Sequence, residues 1–166
     1  MRDSLAIVVE QERRLVFRAF DEAAAFELGA AVRAIALAED KGVVCEVKLW
    51  DRPLFYMALP GTTADNVEWV RRKANVVKRY GKSTYRMVLE KGAGPGNRAL
   101  GDETNAPLSD YVLAGGGFPI RVEGAGVIGA VTVSGIPEHL DHMLVVRGLC
   151  AVLDIAQDGL VLPESL

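Results

Sequence analysis

The chain has 166 residues, of which 50% are hydrophobic and 25% are charged, and its formal net charge is −3. High apolar content with a low net charge excludes an intrinsically disordered chain, and the lack of an uninterrupted run of about 18 apolar residues excludes a membrane span. We therefore expect one domain over residues 1–166, without a secretory signal and located in the cytoplasm.

The first predicted elements are a strand followed by a helix. Residues 14–20 alternate between apolar and polar side chains as a strand does. Residues 21 to about 41 are rich in Ala, Glu and Leu, and their large apolar residues recur near helical spacing. Asp21 is placed to cap this helix, and Gly42 is placed to end it in a left-handed conformation.

A hairpin and a second helix follow. Residues 43–50 alternate as a strand, residues 51–53 are typical of a turn, and residues 54–59 alternate again, which together predict an antiparallel hairpin. The next helix begins at Thr62 or Thr63. Either threonine has the spacing of a capping box, with Asp65 or Asn66 three residues later.

The middle of the chain is predicted to change from helix to loop. Gly81 interrupts the second helix, and Ser83 is placed to cap a further short helix that runs to about Glu90. Residues 91–107 contain four glycines and two prolines together with small polar residues, which is typical of a flexible loop.

The last third of the chain is predicted to form a second hairpin and a final helix. After the glycines at 115–117, residues 118–122 and 127–134 read as strands joined by a turn at 124–126. Pro137 opens a helix that runs to about residue 156. These elements predict an α/β (formally α+β) sandwich with a mainly antiparallel sheet, in which the apolar strand 127–134 is central and covered on both faces.

Two glycine-containing segments resemble phosphate-binding motifs but lack the required context. The segment 124–129 has the spelling G-x-G-x-x-G, yet a strand follows it rather than the helix whose N-terminus would meet a pyrophosphate. Gly81-Lys82-Ser83 has the ending of a P-loop, but Val76 stands where that loop needs its first glycine. We therefore expect neither segment to bind a nucleotide.

The cysteines and histidines offer few conventional sites. Cys45 and Cys150 are far apart and predict two buried thiols rather than a disulfide framework or a zinc site. His139 and His142 lie three residues apart near the start of the last helix, where Glu138 and Asp141 could join them around a ligand. The alternative is a solvated first turn whose acidic residues suit the helix dipole. We expect no metal site.

Positive charge is concentrated in residues 64–91, which hold eight basic and three acidic residues and so carry +5, leaving −8 for the rest of the chain. Arg72, Asn75 and Arg79 share one helix face. This face predicts either a site for an anionic group, such as a carboxylate, phosphate or haem propionate, or a basic surface matched to an acidic neighbour. The acidic chain as a whole argues against nucleic-acid binding.

Two long motifs carry a family resemblance. They are LPGTTADNVEWVRRKANVVKRYGKS at residues 59–83 and GGGFPIRVEGAGVIGAVTVSG at residues 115–135, the latter followed by Asp141 and His142. Together they resemble an uncharacterised family of the GlcG/HbpS-like, or haem-degrading-domain-like, superfamily, over roughly residues 20–153. The resemblance implies a three-layer fold with a profilin-like sheet flanked by helices, and homo-oligomers built from dimers. Haem is implied as a cofactor by resemblance only.

The resemblance also nominates site residues. Those that we expect to bind a ligand are Asp65, Asn66, Trp69, Arg71, Arg72, Lys73, Gly116, Gly117, Phe118 and His142; Asp141 also belongs to the family motif. Two positions depart from the family pattern. Ala64 replaces the usual helix-opening proline, and Ala114 replaces the usual histidine before the glycines, so no haem ligand is transferred to any position.

Three classes of function follow from these observations. The first is a small-ligand-binding protein whose basic helix start, glycine-rich strand and His142 surround one pocket at a subunit interface, where an arginine or lysine holds an anionic group. The second is a non-enzymatic homo-oligomeric interaction or scaffold protein that uses the same residues to stabilise the oligomer. The third is an enzyme with an unidentified reaction, because a base is present but no nucleophile, metal set or cofactor motif is persuasive.

Overall fold

The fold begins with a helix that the sequence analysis did not predict. In the computed structural model, which describes residues 3–163, helix α1 (Ser4–Arg14) is capped by Asp3, whose side chain accepts a hydrogen bond from the Leu5 N–H. The strand predicted at residues 14–20 is wrong. Phe17 makes only an isolated parallel bridge to Val122, so the apolar alternation of this segment reflects burial rather than membership of the sheet.

Helix α2 (Glu22–Ala38) is confirmed, and its predicted end is corrected. Asp21 caps the helix by accepting a hydrogen bond from the Ala24 N–H at 2.8 Å. The left-handed residue beyond the helix is Asp40, with φ of 52°, and not Gly42. Gly42 instead allows a close approach of two chain segments, because a Cβ atom there would lie 2.6 Å from the carbonyl oxygen of Pro60.

Four strands form one sheet. They are β1 (Val44–Leu49), β2 (Arg52–Ala58), β3 (Gly117–Val122) and β4 (Gly126–Ser134), and they lie in the order β2-β1-β4-β3 with every neighbouring pair antiparallel. Both predicted hairpins and the interior position of β4 are confirmed. The G-x-G-x-x-G segment forms the β3–β4 turn and the start of β4, with positive φ at Gly124 and Gly126.

Three helices follow the predicted pattern closely. They are α3 (Ala64–Tyr80), α4 (Thr84–Lys91) and α5 (Glu138–Leu153). Helix α3 starts with the Thr63 and Asn66 capping box and ends at Gly81 in a left-handed conformation, while Ser83 caps α4. Between α4 and β3 the chain is irregular apart from a single 3₁₀ turn at Asp102–Thr104.

The sheet lies between two helical layers. Helices α2 and α5 cover the face that carries Cys45, Val47, Val131 and Val133, and these side chains form the main hydrophobic core with residues of both helices. Helix α3 covers the other face, where a Cβ atom on Gly117 would lie 3.0 Å from a methyl group of Val77. The three-layer α/β architecture expected from the sequence is confirmed.

Within residues 3–163, no helix has both the length and the apolar character needed to cross a bilayer. The longest described helices, α2 and α3, have 17 residues each, and α3 carries five basic side chains. These helices pack on the sheet, as the amphipathic pattern of α3 predicts.

Candidate functional site

A cavity of about 320 Å³ opens between the N-terminal halves of α3 and α5. We call it the α3–α5 cavity and define it by six side chains: Asn66, Trp69, Lys73, Arg98, Glu138 and Asp141. Residues 134–137, where β4 leads into α5, and Ala114, which replaces the usual family histidine, complete the wall. The cavity therefore joins a basic helix, the end of the central strand and the irregular segment that follows α4.

A buried ion pair lies in the wall of the cavity. The Lys73 ammonium donates to Asp141 Oδ2 at 3.0 Å and to the carbonyl oxygen of Val133 at 2.9 Å, and both charged side chains are at most 3% exposed. The other carboxylate oxygen of Asp141 accepts from the Ile136 N–H at 3.2 Å. Desolvation raises the pKa of Asp141 to about 6 and lowers the pKa of Lys73, although each partner opposes the shift of the other.

A second ion pair connects the cavity to the irregular segment. The Arg98 guanidinium donates to both carboxylate oxygens of Glu138, at 3.1 and 3.2 Å, and to the Leu113 carbonyl oxygen at 2.8 Å. Glu138 also accepts from the Gly115 N–H at 3.1 Å. Arg98 and Glu138 are about one-fifth exposed, so this pair faces solvent more than the Lys73 pair does.

Trp69 provides an aromatic wall between two cavities. Its indole N–H donates to Asp65 Oδ2 at 3.1 Å, and the guanidinium carbon of Arg72 lies 4.6 Å from the ring centroid. The guanidinium carbon of Arg98 lies 5.9 Å from the same ring. Beyond Trp69 is a second cavity of about 410 Å³, which Trp69, Arg72 and Arg98 help to line together with Leu108. Both arginines make cation–π contacts to this ring.

The predicted glycines act behind the ion pair rather than on the cavity surface. Gly116 has φ of 127°, and a Cβ atom there would lie 2.8 Å from Lys73 Nζ and would collide with the Val133 carbonyl oxygen. Gly117 is buried and donates its N–H to Thr84 Oγ1 at 2.9 Å. Phe118 is buried in the main core. Gly116 is therefore required for Lys73 to reach Asp141.

His142 is sealed inside the protein and does not line the cavity. Its ring is 0% exposed, Nε2 is 2.7 Å from Oε1 of Gln11 on α1, and the rings of Tyr85 and Phe118 pack against it. Burial lowers the pKa of His142 to about 3. Nδ1 is buried without a hydrogen-bond partner among the described residues.

The basic face of α3 binds another part of the same chain. Arg71 forms ion pairs with Glu68 and Asp110, Asn75 donates to the Asp110 carbonyl oxygen, and Arg79 donates to the Thr104 carbonyl oxygen. Arg72 likewise donates to a backbone carbonyl of the irregular segment, at Leu108. Of the two interpretations of the basic face, an anion site or a surface matched to a neighbour, this arrangement favours a surface matched to a neighbour within the chain.

The structure brings together only some of the residues that were predicted to bind a ligand. Asn66, Trp69 and Lys73 line the α3–α5 cavity, Gly116 supports it from behind, and Asp65 and Arg72 contact Trp69. Arg71, Gly117, Phe118 and His142 lie outside the lining. The site prediction missed Arg98, whose isolated position in a glycine-rich loop gives no periodic signal. It also left out Glu138 and Asp141, which the sequence analysis had grouped with the histidines.

The acidic and histidine side chains at the start of α5 have separate partners. Glu138 binds Arg98, Asp141 binds Lys73 and His142 binds Gln11. Among residues 3–163, no group of three or more His, Cys, Asp or Glu side chains is arranged to hold a metal ion. What the geometry offers chemically is therefore two cations, two carboxylates and an aromatic face around one small volume.

Comparison with known proteins gives the family. The model described as haem degrading protein HbpS-like matches residues 20–150. A UPF0303 protein of Mesorhizobium japonicum is 54% identical over 163 residues, which are 98% of this chain and 96% of that protein.

Two solved structures share the fold. The crystal structure of Ybr137w protein has a TM-score of 0.81 at 24% identity, over 90% of this chain and 87% of that one. The crystal structure of a PduOC–haem complex has a TM-score of 0.65 at 20% identity, and the match covers 85% of this chain and 98% of that one. Because both sequence identities are below 25%, these two structural similarities show the fold alone. The family model and the close relative, by contrast, confirm the resemblance seen in the sequence: the chain belongs to the HbpS-like haem degrading protein family.

Proposed function

We propose that the protein binds a small anionic ligand that carries a carboxylate, in the α3–α5 cavity. The observation that carries this proposal is that Arg98, Lys73 and the Trp69 ring share the wall of one cavity. A volume of about 320 Å³ lies within the range of small-molecule sites. A guanidinium pairs with a carboxylate through parallel hydrogen bonds, and an indole ring packs against the apolar part of a ligand.

The two carboxylates of the wall are compatible with an anionic ligand. Glu138 holds Arg98 in place, and Arg98, which is about one-fifth exposed, is among the residues that line the cavity. The pKa of Asp141 is raised to about 6 by desolvation. A proton on Asp141 removes one negative charge from the wall that an entering anion faces.

Whether the residues of the cavity could bind haem is a separate question, because the family is described as haem degrading. Haem iron is held in proteins by His, Cys, Met or Tyr side chains. None of these types is among the described residues that line the α3–α5 cavity, and the ring of His142 is fully buried against Gln11. The residues of this cavity therefore do not fit ligation of haem iron, and the proposal rests on the carboxylate alone.

The test is a titration of Trp69 fluorescence with pyruvate, citrate and haem, in a Trp50→Phe background that leaves Trp69 as the only tryptophan. We expect Arg98→Gln to weaken binding of a carboxylate about tenfold or more, because a charge-assisted hydrogen bond contributes roughly 1.5–3 kcal/mol. Arg71→Gln is the matched control, since Arg71 pairs with Glu68 and Asp110 outside the cavity.

Three results would contradict the proposal. One is the absence of binding of any carboxylate up to millimolar concentration, confirmed by calorimetry. Another is an equal effect of the Arg98 and Arg71 substitutions, which would place the ligand elsewhere on the basic surface. The third is a haem-induced shift of the Soret band that His142→Gln abolishes, because it would show that the sealed histidine ligates iron.

We also propose that the protein forms homo-oligomers through the outer face of α2. Phe26 and Leu37 are 62% and 48% exposed, and their spacing of eleven residues places both on the same side of the helix. Phe26 also contacts the ring of Phe55 on the edge strand β2, with ring centroids 5.8 Å apart. Large apolar side chains in contact with one another at a surface favour association with another copy.

The cytoplasm is the compartment that we propose for the protein. Cys45 and Cys150 are its two cysteines, and both are free and buried. Proteins of oxidising compartments commonly pair their cysteines in disulfides. Two unpaired thiols inside the core support a reducing environment.

A further inference from the structure

We propose that Lys73 forms an imine with a small oxo acid, a compound that carries both a carbonyl group and a carboxylate, bound in the α3–α5 cavity. This inference rests on the proposed carboxylate site and adds a reaction to it. The amine that the cavity offers is Lys73, the lysine among its described lining residues. The carboxylate of the same ligand would be held by Arg98.

The surroundings of Lys73 suit a nucleophilic amine. The side chain is 2% exposed, and Nζ has identified partners for two of its three N–H bonds, Asp141 and the Val133 carbonyl oxygen. Burial, the largest influence, lowers the pKa of Lys73; Asp141 and Glu138 oppose this shift, and the positive charge of Arg98 adds a smaller lowering. The net lowering of the pKa increases the fraction of neutral amine, which is the form that attacks a carbonyl carbon.

Asp141 supplies the proton transfer that the reaction needs. The Lys73 ammonium passes one proton to the Asp141 carboxylate, and the neutral amine attacks the carbonyl carbon of the ligand. The two protons that remain on Nζ move to the former carbonyl oxygen, which leaves as water, and a carbon–nitrogen double bond forms. Asp141 then returns its proton to the imine nitrogen, so that total charge is conserved.

The product remains compatible with the site. A protonated imine keeps one N–H and one positive charge, and Asp141, 3.0 Å from Nζ, is in place to accept that hydrogen bond and balance that charge. The bond from Nζ to the Val133 carbonyl oxygen is given up, which is the structural cost of the reaction. Trp69 and Arg98, which line the same cavity, would select a carbonyl compound with a carboxylate over a simple aldehyde.

Borohydride trapping tests the inference. The protein is incubated with pyruvate, glyoxylate or acetaldehyde, reduced with borohydride, and analysed by intact mass and peptide mapping. We expect one adduct per chain on Lys73 with the two oxo acids. Lys73→Arg, which keeps the charge beside Asp141, should abolish it, while Lys78→Arg on the exposed face of α3 should leave it unchanged. Arg98→Gln should reduce trapping of pyruvate about tenfold but not that of acetaldehyde.

The possible failures are distinguishable. Binding of pyruvate in the fluorescence titration without a trapped adduct on Lys73 would overturn the imine and leave the carboxylate site standing. An adduct spread over the exposed lysines, with no enrichment at Lys73, would overturn the imine as well. Absence of both binding and adduct would remove the carboxylate site itself. Peptide mapping of the wild-type protein locates the adduct even where Lys73→Arg fails to fold.

Discussion

Lys73 and Asp141 form an ion pair that is at most 3% exposed, so each charge depends on the other for compensation. Removal of one member of such a pair leaves an unpaired buried charge and costs about 3–5 kcal/mol, whereas replacement of both removes the desolvation penalty too. We therefore expect Lys73→Met to lower the free energy of unfolding in urea by about that amount, and Lys73→Met with Asp141→Asn to recover part of the loss.

The partly exposed ion pair of Lys82 and Glu90 provides the comparison. Lys82 lies 2.8 Å from Glu90, and about one-third of its side chain is exposed. Pairs of this kind contribute about 1 kcal/mol or less, so Lys82→Met should change the free energy of unfolding little. Purely additive losses in the Lys73 and Asp141 double variant would show that the two buried groups do not compensate each other.

At the scale of an element, helix α2 has one face in the core and another that exposes Phe26 and Leu37. If this outer face joins copies of the chain, a charge placed on it must be desolvated at the interface. We expect the wild-type protein to scatter light as an oligomer at micromolar concentration, and Phe26→Glu to shift it toward the monomer. Leu140→Glu, at a 39% exposed position on α5, is the control. A monomeric wild-type protein would contradict the proposed interface.

At the scale of the whole molecule, two adjacent residues make opposite contributions to stability as a function of pH. The folded pKa of His142, about 3, lies below its ordinary value, so its contribution is complete above pH 6.5 and is lost as the pH falls toward 3. The folded pKa of Asp141, about 6, lies above its ordinary value, so its contribution is present at low pH and is lost as the pH rises through 6.

The two contributions offset each other between pH 6 and 4, and a substitution separates them. His142→Gln removes the first contribution and keeps a side chain able to bind Gln11. We expect its stability deficit relative to wild type to shrink by about 3 kcal/mol between pH 6.5 and 4, measured by denaturant unfolding at each pH. His139→Gln, at a half-exposed position, controls for loss of a histidine. A deficit that does not change with pH would show that the core tolerates a protonated His142.

Features of the fold that depend on neighbouring residues could be predicted from the sequence, and features that depend on distant residues could not. Asp21 and Ser83 accept hydrogen bonds from N–H groups three residues further along the chain, and both caps were predicted; Thr63 was one of two threonines predicted for the start of α3. Helix α1 was missed because its contacts are remote: Gln11 binds His142, and Glu12 accepts the Ser83 N–H. Polar residues buried by distant partners look like surface residues in a sequence.

In the candidate site, too, one residue could be predicted from a local pattern and another could not. Lys73 falls at helical spacing with Val70, Ala74 and Val77, so its inward direction could have been read from the pattern that defines the apolar face of α3. The contribution of Arg98 to the cavity could not be predicted from the sequence, because its position depends on hydrogen bonds to Glu138 and to the Leu113 carbonyl oxygen. An irregular segment has no repeat from which side-chain direction can be inferred.

The order of most elements could be predicted from the sequence alone, as could the two hairpins, the interior position of β4 and the family. These depend on the periods of helix and strand, on turn residues and on capping groups, all of which act over a few residues. Contacts between distant residues, by contrast, became visible only in the folded chain: Arg71 binds Asp110, Lys73 pairs with Asp141, and His142 is buried under α1. The physical reason is that burial and pairing are properties of side chains brought together from distant parts of the chain.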